Sequence, residues 1–533
     1  MAKRPERVVL ATTEAVPFAK AGGLADVTSA LASALARLDL DVTLLLPAYP
    51  FIEREGGRFT PVCSRPLEVA LGRRTERFRL HRGELPGTPV EVVLIEHDAF
   101  FGRLGIYQDE KTGAEYADAA ARYAFLSRAI LAALPALGPP PDILQLNDHH
   151  TALAAAYRLL GPPAQVQALA PTGVLLGIHN LGYQGIYDAE HFHLTGLPES
   201  WMQPPGALEF WGRMNFMKVG IVHADVVTTV SPTYAREIQQ SERYGHGLQG
   251  VLQKRGDDLC GILNGIDVDT WDPARDLHLP AHYDVDHLAG KAVCKRALQQ
   301  RCGLDPEPEL PLFGLIGRLV DQKGIDVLLA AATDLLSLPI QLAVLGKGQH
   351  EYEERLLALS RARPGRVAVR IGFDEELAHW IEAACDFYLM PSRYEPCGLN
   401  QMYSLRYGTV PVARRTGGLA DTVHDCAADA QIGNGFLYGP HSAEALLDAV
   451  RRALVTFQSP DQMQRLIRTG MSADFSWDAS ARRYLHVYRR ALQKRPKQPG
   501  LRIERGGTVT PAAEGGIDTG ARIRKIRADF ERE

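Results

Sequence analysis

No stretch of this 533-residue chain approaches the roughly 18 uncharged apolar residues that a membrane-spanning helix needs. A membrane span is therefore not expected. Charge of one sign is also lacking. Charged residues make up 23% of the chain and nearly cancel, leaving a net charge of −4. Nothing in that balance selects nucleic acid or an anionic membrane as partner. Cysteine is sparse: seven residues, scattered, with no CxxC pair. That excludes a disulfide framework and fits a reduced, cytoplasmic protein. The start, "MAKRPERVVLATTE", is basic, but its apolar stretch is too short for a signal peptide. There is no P-loop, no GxSxG elbow, no kinase motif set and no HExxH pair. No Asp-x-Asp motif of the kind that holds a metal against a diphosphate is read, so no metal is expected.

What the chain does have is length, apolar content and a repeated motif. At 533 residues with 46% apolar residues it is too long for one core, and two domains are expected. Short apolar runs bounded by turn residues recur: "RVVLATTE", "DVTLLLP", "VEVVLIEHD", "DILQLND", "GVLLGIHN" and "DVVTTVSP". After "GILNGIDVDTWDP" the pattern restarts with "LFGLIGRL", "IQLAVLGKG", "RVAVRIGF", "FYLMPS", "GTVPVARR" and "GNGFLYG". Such runs, alternating with Ala/Leu-rich helical segments, predict two doubly wound α/β halves with parallel sheets. The expected division is 1–257, 258–474, a helix over 475–492 and a flexible tail over 493–533. The tail is rich in Pro, Gly, Arg and Glu.

Each half carries a similar glycine turn, "KAGGLADV" from Lys20 and "RTGGLADT" from Arg415. Each follows a strand and leads into a helix. In α/β sheets ligands bind beyond the carboxyl ends of the strands, where a Gly-Gly turn lets backbone N–H groups approach an anion. The alternative is a tight strand-to-helix turn and nothing more. Arg318 and Lys323 in "GRLVDQKG" suit a diphosphate, one as a fork and one as a point charge, or else form a solvated surface pair. Glu395 in "EPCGLNQ" follows a buried strand, where it accepts hydrogen bonds from sugar hydroxyls or lies in solvent. "NDHH" places Asn147, Asp148, His149 and His150 at a strand end. With no Cys partner and no helical His pair, zinc is disfavoured, and His150 reads as a cleft-lining residue. His179 and Asn180 follow another strand, as ligands or as structural residues. Asp118 begins a helix, which makes an N-cap the plain reading.

Taken in order, "KAGGLADV", "HNLGYQG", "NFMKVGI", "VSPTYAREI", "YGHGLQG", "GILNGIDVDTWDP", "QKGIDVL", "EPCGLNQMYSLRYGTVPVARRTGGLADTV" and "DFSWDASA" span about residues 8 to 490. With these motifs the chain resembles the bacterial-type glycogen synthases and their starch synthase kin. The resemblance implies a GT-B fold: two Rossmann-like domains facing across a deep cleft, with the last helix crossing back to the first. It implies retaining transfer of glucose from ADP-glucose to a 1,4-α-glucan such as glycogen. No cofactor and no metal are implied, nor a nucleic-acid or membrane partner.

Carried over by motif, Lys20, Gly22 and Gly23 match the donor-binding loop. Arg318 and Lys323 match the basic pair on the diphosphate. Glu395, Cys397 and Gly398 match the loop that holds the donor glucose, and Gly417 and Gly418 the second glycine turn. Asp118 and His150 match polar residues near the reacting carbon, and Asn264 matches an Asn beside the sugar. The chain departs from the family pattern at Ala21, at "NDHH", at Ala119, at "GRLV" and at Cys294. Two other readings stay open. One is a retaining GT-B transferase with a small acceptor or UDP-glucose as donor. The other is a non-catalytic glucan-binding subunit.

Overall fold

The computed structural model describes residues 4–53, 58–427 and 431–494. The tail expected beyond residue 493 thus lies almost wholly outside the described residues. The chain forms two compact units. The first comprises Met1–Thr229, Ile238–Cys260 and the chain from Ala481; the second comprises Val230–Glu237 and Gly261–Ser480.

The first unit is built on a ten-stranded sheet. Its parallel centre runs Val226–Thr229, Gly173–Ile178, Ile143–Asn147, Arg7–Ala11, Asp41–Pro47 and Glu91–Glu96, side by side in that order. These strands are buried along most of their length, with Val8, Val9 and Leu10 fully inaccessible. Such burial explains why they read as continuous apolar runs. Numbered along the chain, this is the doubly wound order, and winding reverses between Arg7–Ala11 and Ile143–Asn147. An antiparallel hairpin, Leu67–Leu71 with Arg74–Glu84, joins the edge on Glu91–Glu96. The sequence does not announce it, because its residues alternate between buried and charged.

One helical stretch of this unit, Ala119–Leu137, is long and apolar enough by composition to cross a membrane. In the structure it is a core element. Arg122, fully buried within it, donates to the carbonyls of Phe100 and Ile106. The last helix, Trp477–Lys494, begins in the second unit and ends in the first. There Tyr488 donates its hydroxyl to Gln145 at 2.7 Å, and Arg490 pairs with Asp258 at 2.9 Å.

The second unit holds a six-stranded parallel sheet. Its order is Val367–Ile371, Gln341–Gly348, Leu312–Leu319, Phe387–Met390, Val410–Arg414 and Phe436–Tyr438. This repeats the order of the first unit, with the reversal between Leu312–Leu319 and Phe387–Met390. Phe313 and Phe387 stack at 4.9 Å in its core. Deleting either ring would cost about 3–5 kcal/mol.

Candidate active site

At the reversal point of the second unit, the strand Leu312–Leu319 carries Gly317 and Arg318 in its last three residues. A short turn, Asp321–Lys323, then brings Lys323 back over the sheet edge. Across the reversal, the loop after Phe387–Met390 delivers Ser392 and Glu395. Lys323 Nζ lies 2.6 Å from Glu395 Oε2, and Ser392 Oγ donates to the same oxygen at 3.0 Å. Gly317, Arg318, Lys323, Ser392 and Asn400 line a small cavity of about 20 Å³. Arg318 is exposed and donates to Gln322 at 3.2 Å. Two cations and a carboxylate thus gather where a doubly wound sheet binds ligands.

The loop around Glu395 is pinned from several sides. Buried Arg414 donates to the carbonyl of Ser392 at 2.8 Å. Gln401 Nε2 donates to the carbonyls of Cys397 and Gly398, at 3.0 Å each. Gly398 has φ +72°, a left-handed conformation that L side chains adopt at a cost. Cys397 is buried, burial pushes its thiol up to about 12, and the backbone of Asn264 hydrogen-bonds it. At neutral pH it is therefore a thiol, not a nucleophile. Asn264 is 6% exposed and its Oδ1 has no hydrogen-bond partner. A buried acceptor of this kind is free to take a hydrogen bond from water or a ligand.

The second glycine turn is packed against its neighbours. It opens a helix of only six residues, Gly417–Thr422. Its amides are already engaged: Gly417 N donates to Glu237 Oε2 at 3.1 Å, and Gly418 N to the carbonyl of Glu395 at 3.1 Å. A Cβ on Gly417 would lie 1.9 Å from the Glu395 carbonyl oxygen, and one on Gly418 2.0 Å from that of Cys397. Glycine is needed here so that the turn can back the Glu395–Cys397 loop. Asp421 of the same motif accepts from Thr233 N and Thr233 Oγ1, at 2.7 Å each.

The first glycine turn is the opposite case. A Cβ on Gly22 or Gly23 would meet nothing within 4 Å. Gly22 has φ −152°, open to any residue. Neither packing nor backbone conformation requires glycine at these two positions. Lys20, beside it, is exposed and pairs with Asp26 at 2.8 Å. The turn is shaped from below by Glu14, 2% exposed, which accepts from Ala21 N at 2.5 Å and Gly22 N at 2.7 Å. Its other oxygen accepts from the Tyr107 hydroxyl. The Tyr107 ring stacks on His150 at 4.8 Å. Glu14 and Tyr107 therefore join the glycine turn to His150. The sequence reading names neither.

His150 is 7% exposed with an unpartnered Nδ1. Burial, then the neighbouring His149, lowers its pKa well below the ordinary value, so the imidazole is neutral. Asp148 accepts from His179 N at 2.8 Å, and burial pushes its carboxyl up to about 7. Asn147 bonds His179 Nε2 at 2.9 Å, which makes both structural. His149 bonds the carbonyl of Tyr183 at 3.1 Å. Asp118 occupies the N-cap position of Ala119–Ala133 but caps nothing with its side chain. Its carboxylate is held instead by Arg103, at 2.7 and 2.5 Å. Three Asp-x-Asp runs are present: Asp39–Asp41, whose Asp41 opens the strand Asp41–Pro47 and pairs with Arg7 at 3.6 Å, and two in loops, Asp267–Asp269 and Asp284–Asp286. Asp267 accepts from Asp269 N and Thr270 N, Asp269 pairs with Arg275, and Asp284 accepts from Asp286 N. The two loop runs shape turns.

Residues 7–254 match the starch synthase catalytic domain family, and residues 300–470 match the glycosyl transferases group 1 family. A glycogen synthase of Anaeromyxobacter sp. (strain Fw109-5) is 46% identical over 485 residues, covering 90% of this chain and 98% of that protein. Glycogen synthase 1 of Methylococcus capsulatus is 43% identical, covering 91% and 97%. The chain belongs to the glycogen synthase family. Among solved structures, the catalytic domain of starch synthase IV from Arabidopsis thaliana, bound to ADP and acarbose, superimposes with TM-score 0.82. It is 33% identical and covers 92% of this chain and 100% of that one. A sucrose-phosphate synthase from Thermosynechococcus elongatus shares the fold, with TM-score 0.56 at 18% identity over 92% of this chain and 99% of that one. The fold is GT-B and the protein is a glycosyltransferase of the glycogen synthase family.

Proposed function

We propose that the protein elongates glycogen, transferring glucose from ADP-glucose to the non-reducing end of a 1,4-α-glucan with retention of configuration. The observation that carries this reading is the pairing of Lys323 with Glu395 beside Arg318, at the reversal point of the second sheet. The cations suit a leaving diphosphate, and the carboxylate suits the hydroxyls of the donor glucose. The ADP bound to the Arabidopsis starch synthase supports an adenosine diphosphate sugar.

The chemistry follows from charge. Breaking the glycosidic bond puts negative charge on the diphosphate and positive charge on the sugar ring. Fixed cations at Lys323 and Arg318 stabilise the first without reorganising in the transition state. Among the described residues this reading assigns no carboxylate as a covalent nucleophile. Attack from the leaving-group face, with the diphosphate taking the acceptor proton, retains the configuration. His150, held neutral, is a hydrogen-bonding group for a sugar hydroxyl and not a proton donor. Asn264 Oδ1 is a second such acceptor. Lys20 and the open turn at Gly22 and Gly23 leave room for a ligand at the first unit. No metal is required in this scheme. All seven cysteines are free, which fits a cytoplasmic setting.

The deciding experiment is a donor comparison with glycogen as primer, scoring nucleotide release and chain elongation together. ADP-glucose is expected to be the better donor. Preference for UDP-glucose, or transfer to monosaccharides but not to glycogen, would overturn the assignment.

A further inference from the structure

Trp211 sits where its residue type is costly. Strands Glu209–Phe210 and Arg213–Asn215 pair with Phe210 opposite Arg213, so the connection is the two residues Trp211 and Gly212. Both have positive φ, +51° and +81°. A two-residue hairpin turn with positive φ at both positions favours Asn-Gly, because Asn and Gly tolerate the left-handed region. A bulky residue there is strained. The fold gains little in return, since Trp211 is 72% exposed. Strain of this kind persists where the side chain serves a function.

The ring is nevertheless fixed. It lies against Phe210, with centroids 4.3 Å apart. Its far edge fills the place of a side chain on Gly247: a Cβ there would lie 2.5 Å from the indole. Around it the surface is polar, with the Arg213–Asp188 ion pair at 3.0 Å and Glu209 accepting from Gly212 N at 3.0 Å. A flat ring with a polar rim suits a sugar, whose C–H face stacks while its hydroxyls find hydrogen bonds. A protein partner would call for more apolar area. The ring also connects to the candidate site. Gly247 follows His246, whose carbonyl accepts from Gln184 Nε2 at 3.1 Å. Gln184 adjoins Tyr183, 56% exposed, whose carbonyl meets His149, and the rings of His149 and His150 lie 3.7 Å apart.

We infer that Trp211 is an outlying stacking platform for the acceptor, holding a sugar ring of an α-1,4-glucan away from the end that reacts near His150. The inference rests on the glucan reading above. The platform should bind long chains and be out of reach of the shortest.

The test compares Trp211→Asn, Trp211→Ala and Trp211→Tyr with the wild type. Trp211→Asn relieves the turn, so its melting temperature should not fall. Its KM for glycogen should rise about five-fold, the scale of one aromatic contact. The KM for maltotriose and for the nucleotide sugar should stay within about two-fold. Trp211→Tyr should keep most of the glycogen affinity. Migration in native gels containing glycogen reads binding without catalysis, and Trp211→Asn should be retarded less than the wild type. If the wild type transfers glucose to no glucan, the functional reading fails while the gel still decides the platform. Unchanged retardation and KM in Trp211→Asn would overturn the platform. So would equal loss toward maltotriose and glycogen together with a lowered melting temperature.

Discussion

The ammonium of Lys323 lies 2.6 Å from a carboxylate oxygen of Glu395, and Glu395 is 5% exposed. A buried carboxylate is tolerable because its cation is there, so the two residues are coupled in stability as well as in function. Lys323→Ala should lower turnover about 10²–10³-fold through loss of one preorganised charge contact. It should also cost about 1–2 kcal/mol of stability, because Glu395 loses its partner. Adding Glu395→Gln to it should restore the melting temperature and leave turnover low. Lys323→Arg should recover part of the rate, a fork replacing a point charge. Near-normal turnover in Lys323→Ala would refute this account.

If Arg318 and Lys323 stabilise the leaving diphosphate, a divalent metal is unnecessary. EDTA should leave the wild-type rate unchanged. A rate that disappears with chelator and returns with Mg²⁺ or Mn²⁺ would show that the cations are not sufficient.

The two glycine turns should respond in opposite ways to one methyl group. Gly22→Ala adds a Cβ into open space at an unstrained φ, so stability should change by no more than about 0.5 kcal/mol. Its kcat/KM for donor should nevertheless fall about ten- to hundred-fold, as misplacement in a binding site does. Gly417→Ala drives a Cβ to within 1.9 Å of a carbonyl oxygen at φ +44°, and should destabilise by about 4 kcal/mol or more. Thermal melts and donor titrations of the two variants decide it. A destabilised Gly22→Ala would show that the first turn is also a packing device.

This contrast marks what was legible in the sequence. The strands announced themselves as apolar runs because parallel strands are buried on both faces. Strand ends then located Lys20, His150, Arg318, Lys323 and Glu395 near the two reversal points. The partners were not legible. Glu14 reaches the turn from a few residues upstream, but "TTE" carries no sign of it. Glu237 contacts Gly417 across 180 residues of chain, a separation that no local pattern encodes. Likeness of "KAGGLADV" to "RTGGLADT" also hides a difference. Asp26 pairs with Lys20, whereas Asp421 binds Thr233, so equal spacing serves different bonds. Trp211 was invisible because an exposed aromatic and a buried one look alike in a string.

A buried pair away from the site sets an expected pH response. Burial raises the carboxyl of Glu382 from 4.5 to about 8, with Ser404 opposing, and lowers Lys291 from 10.5 to about 8. Between pH 4.5 and 8 the folded chain holds a proton on Glu382 that the unfolded chain releases. Stability from this group therefore falls as pH rises through that window. Above pH 8 the unfolded chain holds the extra proton, on Lys291, and stability rises again. Glu382→Gln should flatten the fall between pH 5 and 8 in thermal melts, with its advantage over the wild type growing as pH rises. Parallel curves for the two proteins would rule out the buried carboxyl as the cause.

Because the first unit takes in the chain from Ala481, it still lacks a covering helix when its first 260 residues leave the ribosome. Gln145 then lacks the Tyr488 hydroxyl, and Gly173 lacks the cover of Ala491. The whole of Gly261–Ser480 must be made before either arrives, roughly 10–45 s at ordinary synthesis rates. The unit that starts first should therefore finish last. Stalled nascent chains ending before Trp477 should be cut by protease near Gly173, and chains extended beyond Lys494 should be protected there. Equal protection in both would mean that the early residues close their fold without the late helix.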